Sequence, residues 1–328
     1  MKLLTLKVVA LLAPFVALSV PTLVHSVTMI AAAERSSALR GGVFDAQLEG
    51  KLRSLVTADT EVIVAGDSRA ERELVPAIVE ARSGRKTVNI ASTAQDLVTL
   101  SNALARHPLP ANATLIVDIS VFQVNDGAID PPFLSTACLL NMTTRERVTV
   151  YVDRLGSPWS SLAFRFVEGE PAVIGPAMLR ERGFLGIDKQ LSLPLPKMLL
   201  NEHPWYRKMS LHGARWRIFQ EALGRLAASG RRIYLFQPPI SPAWRRYTSD
   251  TFVDTAERNL GAMLGPAAAQ YPNVRFLDFY SADPGLGDAQ FYDIQHLNRG
   301  GAAAFTGLLM DRIGAELGRP AAVQASVR

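Results

Sequence analysis

Five short runs of mostly apolar, often β-branched residues recur along the chain, each preceded or followed by a helix-length amphipathic stretch, and this alternation narrows the possible folds more than any other feature. The runs are Glu61-Val-Ile-Val-Ala65, Thr87-Val-Asn-Ile90, Thr114-Leu-Ile-Val-Asp-Ile119, Arg232-Ile-Tyr-Leu-Phe236 and Val274-Arg-Phe-Leu-Asp-Phe279. Strands buried on both faces read as such near-continuous runs, and parallel strands need the crossover helices that the intervening segments can supply. Helices are expected over about 69–82, 94–105, 254–264 and 299–317, the last burying Phe305, Leu308, Leu309 and Ile313. A further helix is expected where Trp216, Phe219, Leu223 and Leu226 share one face, with Gly230 closing it. The fold class that follows is α/β: a three-layer sandwich of about five parallel strands covered by helices on both faces.

Two stretches depart from this rhythm. Residues 127–211 carry many prolines, scattered aromatics and no βα repeat, and they are too long for a plain loop. They are expected to form an insertion, a cap or accessory subdomain over the C-terminal edge of the sheet. The α/β domain is then made of 61–126 and 212–318, with 34–60 as a polar connector and 319–328 as a tail. At the other end, Lys2 and Lys7 precede a run from Val8 to Ala33 without Asp, Glu, Lys or Arg. Such a run is a membrane-targeting segment. Residues 1–33 are expected to act as a signal-anchor rather than a cleaved signal peptide, because the uncharged run exceeds the ~20 residues that span a bilayer. The small residues Ala31 and Ala33 keep cleavage as the alternative. In either case the body should lie on the outer, periplasmic side of the inner membrane, since the lysines precede the segment.

Composition removes several functions. The formal net charge of +5 is modest and the basic residues are scattered, so no nucleic-acid partner is expected. Cys138 is the single cysteine, which rules out an intrachain disulfide and a cysteine-based zinc site. No Walker or GxGxxG loop follows Gly66, and no dense acidic cluster suggests Mg²⁺. No cofactor or metal is expected.

Gly66-Asp67-Ser68 stands where the first strand ends and a helix begins, the place at which open α/β sheets put their ligands. The hydroxyl would enter the crevice beside the N–H groups of a helix start; the alternative reading makes Ser68 an N-cap and Gly66 a turn residue. After the fifth strand comes Asp293-Ile-Gln-His296, a carboxylate and an imidazole three residues apart. An aspartate so placed can fix the imidazole tautomer and leave the other ring nitrogen as a base. Of the other histidines, His25 lies in the membrane segment, His107 precedes a proline, and His203 and His212 fall in or beside the insertion.

Gly-Asp-Ser after the first strand and Asp-x-x-His before the last helix resemble the SGNH/GDSL hydrolase superfamily, over about Val62 to Leu317. The resemblance implies a flavodoxin-like sandwich in which Ser68 is the nucleophile and Asp293 and His296 complete a catalytic triad. It also implies an oxyanion hole made by the N–H of Ser68, a residue after the second strand, which is Ala91 where the family has glycine, and an asparagine after the third strand, expected at Asn125. Ser120 and Gln123 are the substitutes for that last donor. The N-terminal anchor and the long insertion are similar to the acyltransferase branch, which includes the alginate O-acetyltransferase proteins and the D-alanyl transfer protein of teichoic acid synthesis. That likeness implies acyl transfer to a cell-envelope or secreted polysaccharide, beside a membrane-bound O-acyltransferase partner. An esterase acting on a carbohydrate or lipid acyl-ester is the first alternative. The second is a silent module that binds polysaccharide through Trp159, Trp205, Tyr206, Arg207 and Lys208.

Overall fold

The computed structural model describes residues 43–93, 95–126, 136–146, 174–195, 210–249 and 252–318. In chain order these form α1 (Val43–Leu55), β1 (Val62–Ala65), α2 (Ser68–Glu73), α3 (Pro76–Ser83), β2 (Thr87–Asn89), α4 (Leu97–Arg106), β3 (Thr114–Asp118), α5 (Val121–Val124) and α6 (Thr136–Asn141). Then follow α7 (Pro176–Arg180), α8 (Ala214–Ala227), β4 (Ile233–Gln237), α9 (Pro242–Thr248), α10 (Phe252–Ala269), β5 (Val274–Asp278) and α11 (Arg299–Leu317). The five strands are all parallel, in the order β2-β1-β3-β4-β5, with Val64 beside Asn89 on one side and Ile116 on the other. The order reverses between β1 and β3, and that switch point opens a crevice at the carboxyl ends of the strands.

The period-2 alternation of the strands sorts their side chains into two cores. Ile63, Ala65, Leu115, Val117 and Leu235 pack with α1, α4, α8 and α10. Val62, Val64, Ile116, Tyr234 and Phe236 pack with α2, α3 and α11. The three expected layers are therefore present. On α8, Phe219, Leu223 and Leu226 are buried as the spacing predicts, and on α11 so are Phe305, Leu309 and Ile313, while Leu308 is only partly buried.

Two expectations need correction. The single helix expected over 69–82 is two, α2 and α3, because Pro76 forces extended backbone on the residue before it and restarts the helix at its own position. Within the polar connector, α1 is part of the core: Leu48, Leu52 and Leu55 are buried, and so is Lys51 between them. Lys51 Nζ donates to Glu71 Oε1 at 2.9 Å and to the Gly183 carbonyl at 3.1 Å, so its burial is compensated. The described part of the insertion is hydrogen-bonded to the α/β domain. Asn89 N–H donates to the Arg182 carbonyl at 2.8 Å, Leu185 N–H to Glu71 at 3.0 Å, and Leu191 N–H to Phe291 at 2.7 Å, with Phe184 buried against α11. Residues 1–33, the aromatic and basic cluster at 159 and 205–208, and the tail lie outside the described residues. Among the described residues no helix is long and apolar enough to cross a membrane.

Candidate active site

The turn after β1 is built for close approach. Gly66 has φ +127°, and a Cβ there would fall 1.5 Å from Asp118 Oδ1, so only glycine fits both the backbone conformation and the space. Asp118 Oδ1 accepts the Asp67 N–H at 2.7 Å, fixing the chain where it leaves the strand. Asp67, extended at φ −87° and ψ −158°, caps α2 by accepting the Arg69 N–H. Ser68 follows as the first residue of α2.

His296 arrives from the far side of the sheet. Beyond β5 the chain makes a short 3₁₀ turn at Asp288–Gln290, and Phe291 and Leu297 then pair as an isolated antiparallel bridge. Between them, Tyr292 N–H donates to the His296 carbonyl at 3.0 Å. Asp293 Oδ1 accepts the N–H groups of Gln295 and His296, each at 2.8 Å, so the carboxylate holds its own loop. Asn298 then caps α11 by accepting the Gly301 N–H at 2.9 Å.

The two loops bring Ser68, His296 and Asp293 into one line. Ser68 Oγ lies 2.8 Å from His296 Nε2, and His296 Nδ1 lies 2.8 Å from Asp293 Oδ2 and 3.0 Å from Oδ1. With Nδ1 donating to the carboxylate, Nε2 presents a lone pair to the serine hydroxyl. Burial works to raise the Asp293 carboxyl, but the hydrogen bonds from the His296 ring and from the two backbone N–H groups outweigh it and hold the group below its ordinary value. Tyr292 stacks on the imidazole with ring centroids 5.4 Å apart. Arg72, one turn beyond Ser68 on α2, donates to the Tyr292 hydroxyl at 2.8 Å and comes within 3.4 Å of His296 Nε2.

Below Ser68 lies a buried polar layer. Arg69, 1% exposed, is 3.7 Å from Glu257, and the carboxyls of Asp67, Asp118 and Glu73 are close enough to feel its charge. Burial pushes Asp118 and Glu73 well above their ordinary values and also raises Glu257. For Asp67 burial is outweighed by Arg69 and by hydrogen bonds from Asp118 and Ser120, so its carboxyl is lowered.

Ser68 and His296 open onto a cavity of about 200 Å³ that Arg72, Thr93, Gln95 and Gln123 also line. The remaining donors expected from the sequence are not brought to it. Ala91 is fully buried in the core under α2 and α11, and its N–H donates to Asn89 Oδ1 at 3.0 Å, so it cannot serve an oxyanion. Asn125 is likewise buried; its Oδ1 accepts the Ser210 N–H at 2.9 Å and its carbonyl accepts from Arg215 at 3.0 Å. Of the substitutes, Ser120 donates to Asp67 Oδ2 at 2.6 Å, and Gln123 reaches the cavity with its amide donating to Asp67 Oδ2 and the Asp118 carbonyl. Arg72, Tyr292 and Gln95 were not singled out from the sequence. Arg72 was within reach of such reasoning, four residues from Ser68 on one helix face. Cys138 is buried, and burial pushes its thiol up to about 12, so it is no rival nucleophile. Among the described residues no group of three or more His, Cys, Asp and Glu side chains is placed to hold a metal ion.

No family profile matches the chain, and no curated protein matches it significantly. Among solved structures, it is similar to a provisionally named platelet activating factor of Streptococcus pneumonia, at 12% identity and TM-score 0.41, over 90% of this chain and 99% of that one. It is also similar to a provisionally named acylhydrolase of Bacteroides fragilis, at 11% identity and TM-score 0.38, over 83% of this chain and 95% of that one. Likeness of this degree carries no assignment, and the chemistry has to come from the residues of the site.

Proposed function

We propose that this protein carries out serine-dependent acyl transfer through a Ser68 acyl-enzyme, moving a short acyl group such as acetyl onto a hydroxyl of a cell-envelope or secreted polysaccharide. The observation that supports it is the line of two 2.8 Å contacts from Ser68 through His296 to Asp293. A serine hydroxyl is a weak nucleophile until a base takes its proton, and an imidazole oriented by a carboxylate is that base. His296 removes the proton as Oγ attacks an ester carbonyl and returns it to the departing alcohol. In the second half the acceptor hydroxyl loses its proton to His296, attacks the acyl-enzyme, and Ser68 is released as the alcohol. The cavity of about 200 Å³ is smaller than the ~300–1,000 Å³ of sites for drug-sized ligands, which suits a short acyl group. With water as acceptor the same residues give an esterase. Export, anchorage at the outer face of the inner membrane through residues 1–33, and partnership with a membrane-bound O-acyltransferase belong to the same reading, resting on the charge pattern and the family likeness.

The test uses the full-length protein in mild detergent, with an activated acetyl ester as donor. Wild type should turn the ester over and take up a serine-directed organophosphonate at Ser68, and Ser68→Ala should do neither. Added polysaccharide should divert acetyl from water to sugar hydroxyls in a transferase and leave acid release unchanged in an esterase. A wild type that shows neither turnover nor an adduct, yet binds polysaccharide as well as Ser68→Ala does, would replace this reading with a silent binding module. Reporter fusions after residue 60 test the location, and activity of a cytoplasm-only reporter there would overturn it.

A further inference from the structure

We propose that the side-chain amide of Gln95 donates the hydrogen bond that receives the substrate carbonyl oxygen as Ser68 attacks it. This rests on the acyl-transfer reading above and names a residue that neither the sequence pattern nor the family likeness points to. Attack on an ester carbonyl moves negative charge onto its oxygen, and a site that accelerates the step aims fixed donors at that position. The Ala91 N–H is occupied by Asn89 Oδ1, and Asn125 is fully buried and does not line the cavity. Around the cavity the Thr93 hydroxyl is held by Glu71 Oε2 at 3.0 Å, and the Gln123 amide by Asp67 and the Asp118 carbonyl. Gln95 differs: it is 3% exposed, lines the cavity with Ser68 and His296, and among the described residues neither its Nε2 nor its Oε1 has a hydrogen-bond partner.

Buried amides are almost always paired, because an unpaired one costs free energy, so an unpaired amide on the wall of the cavity that holds the nucleophile is explained by a ligand that pairs it. The backbone around Gln95 is held in place as such a role requires. Gln95 N–H donates to the Ser92 carbonyl at 3.0 Å, and Ser92 N–H donates to the Gly66 carbonyl at 3.0 Å, tying the loop to the turn that carries Ser68. On the other side Asp96 caps α4 by accepting the Thr99 N–H at 2.8 Å. The amide and the nucleophile thus sit on two loops joined by a hydrogen bond, so their separation is fixed before substrate arrives. Arg72 Nε is a second unpaired donor on the cavity wall, but its guanidinium is engaged with Tyr292 and approaches His296 Nε2, which assigns it to the histidine.

The experiment compares wild type, Gln95→Ala, Gln95→Glu and Arg72→Lys in steady-state turnover of p-nitrophenyl acetate, and in inhibition by a trifluoromethyl ketone, whose adduct with Ser68 carries the oxyanion. Loss of one such donor lowers kcat by about 10²–10³-fold. Gln95→Ala should show that loss in kcat with KM little changed, and its Ki for the ketone should rise by a similar factor, while its Ki for free acetate stays that of wild type. Gln95→Glu keeps the side-chain size if the alanine variant folds poorly, and it should be at least as impaired because it sets a carboxylate against the oxyanion. Turnover of both Gln95 variants within about threefold of wild type would overturn the proposal, as would a rise in ketone Ki confined to Arg72→Lys. A wild type that neither turns over ester nor labels at Ser68 overturns the acyl-transfer reading itself, and the role of Gln95 with it.

Discussion

Replacing Asp293 with Asn changes one atom, and the geometry says what that atom does. Asp293 Oδ1 is fixed by the backbone N–H groups of Gln295 and His296, each at 2.8 Å, so the variant amide must keep its own oxygen there to hold the turn. Its NH₂ group then occupies the place of Oδ2, 2.8 Å from His296 Nδ1. Two N–H groups cannot face each other at that distance, and Oδ1, 3.0 Å from Nδ1, already accepts two backbone N–H groups, so the imidazole should move its proton to Nε2. Nε2 in turn lies 2.8 Å from Ser68 Oγ and becomes a donor where a base is needed. The fold should be almost untouched, because the turn keeps both backbone hydrogen bonds. The rate should fall by about 10⁴-fold in kcat, as such a tautomer change does in serine hydrolases, or about 5.4 kcal/mol of barrier at 1.36 kcal/mol per factor of ten. The assay is the initial rate of p-nitrophenyl acetate hydrolysis at saturating ester, with the thermal midpoint measured in parallel. A well-folded Asp293→Asn protein within about tenfold of wild type would refute the claim that the carboxylate sets the tautomer.

Two further outcomes follow from the layer behind Ser68. Gly66→Ala sets a methyl group 1.5 Å from Asp118 Oδ1 at φ +127°, so it should lower stability by about 2 kcal/mol or more and reduce turnover, read as a drop in denaturation midpoint; an unchanged midpoint would contradict the packing. Glu73 is fully buried and its carboxyl is raised well above the ordinary value by burial, so the folded chain binds a proton that the unfolded chain releases between the ordinary carboxylate range and the raised value. Its contribution to stability is present below the unfolded value and lost as pH rises through the folded one, so Glu73→Gln should gain midpoint relative to wild type on going from mildly acidic to alkaline buffer. An equal difference between the two proteins at both pH values would show that Glu73 does not titrate in the fold.

How much of this was legible in the sequence depends on whether the determining contacts were local. The strands were, since Val62-Ile-Val and Leu115-Ile-Val bury both faces and carry the signature in their own residues. The relation of Asp293 to His296 was local too, closed within one loop by the carboxylate's own turn. The break at Pro76 was legible and missed, because the apolar spacing across it continued. The helix α1 was hidden by Lys51, a charge in the middle of its buried face whose compensation by Glu71 lies 20 residues away and cannot be seen from the helix itself. The oxyanion donors failed for the same reason. Whether the Ala91 N–H faces the cavity is decided by the Asn89 side chain that claims it, and the Asn125 side chain is held in the interior by an oxygen that accepts from Ser210, 85 residues later.

The buried layer bears on the chemistry as well as on the fold. A carboxylate close to a developing oxyanion opposes it, and Asp67, which lines the cavity, has a second acid, Asp118, against its backbone. Were both ionised, two negative charges would stand beside the carbon that Ser68 would attack in the acyl-transfer reading, with Arg69 shared among them and also with Glu257 and Glu73. The opposite shifts of the pair remove that conflict. Burial works to raise Asp67, but Arg69 and the hydrogen bonds it accepts hold its carboxyl below the ordinary value, whereas burial, with the charge of Asp67 beside it, pushes Asp118 well above its own and so favours its neutral form. In either form Asp118 accepts the Asp67 N–H and fills the space that Gly66 leaves open. The turn that aims Ser68 is therefore fixed by an acid whose burial disfavours a second negative charge beside the place where, in the acyl-transfer reading, the transition state would carry its own.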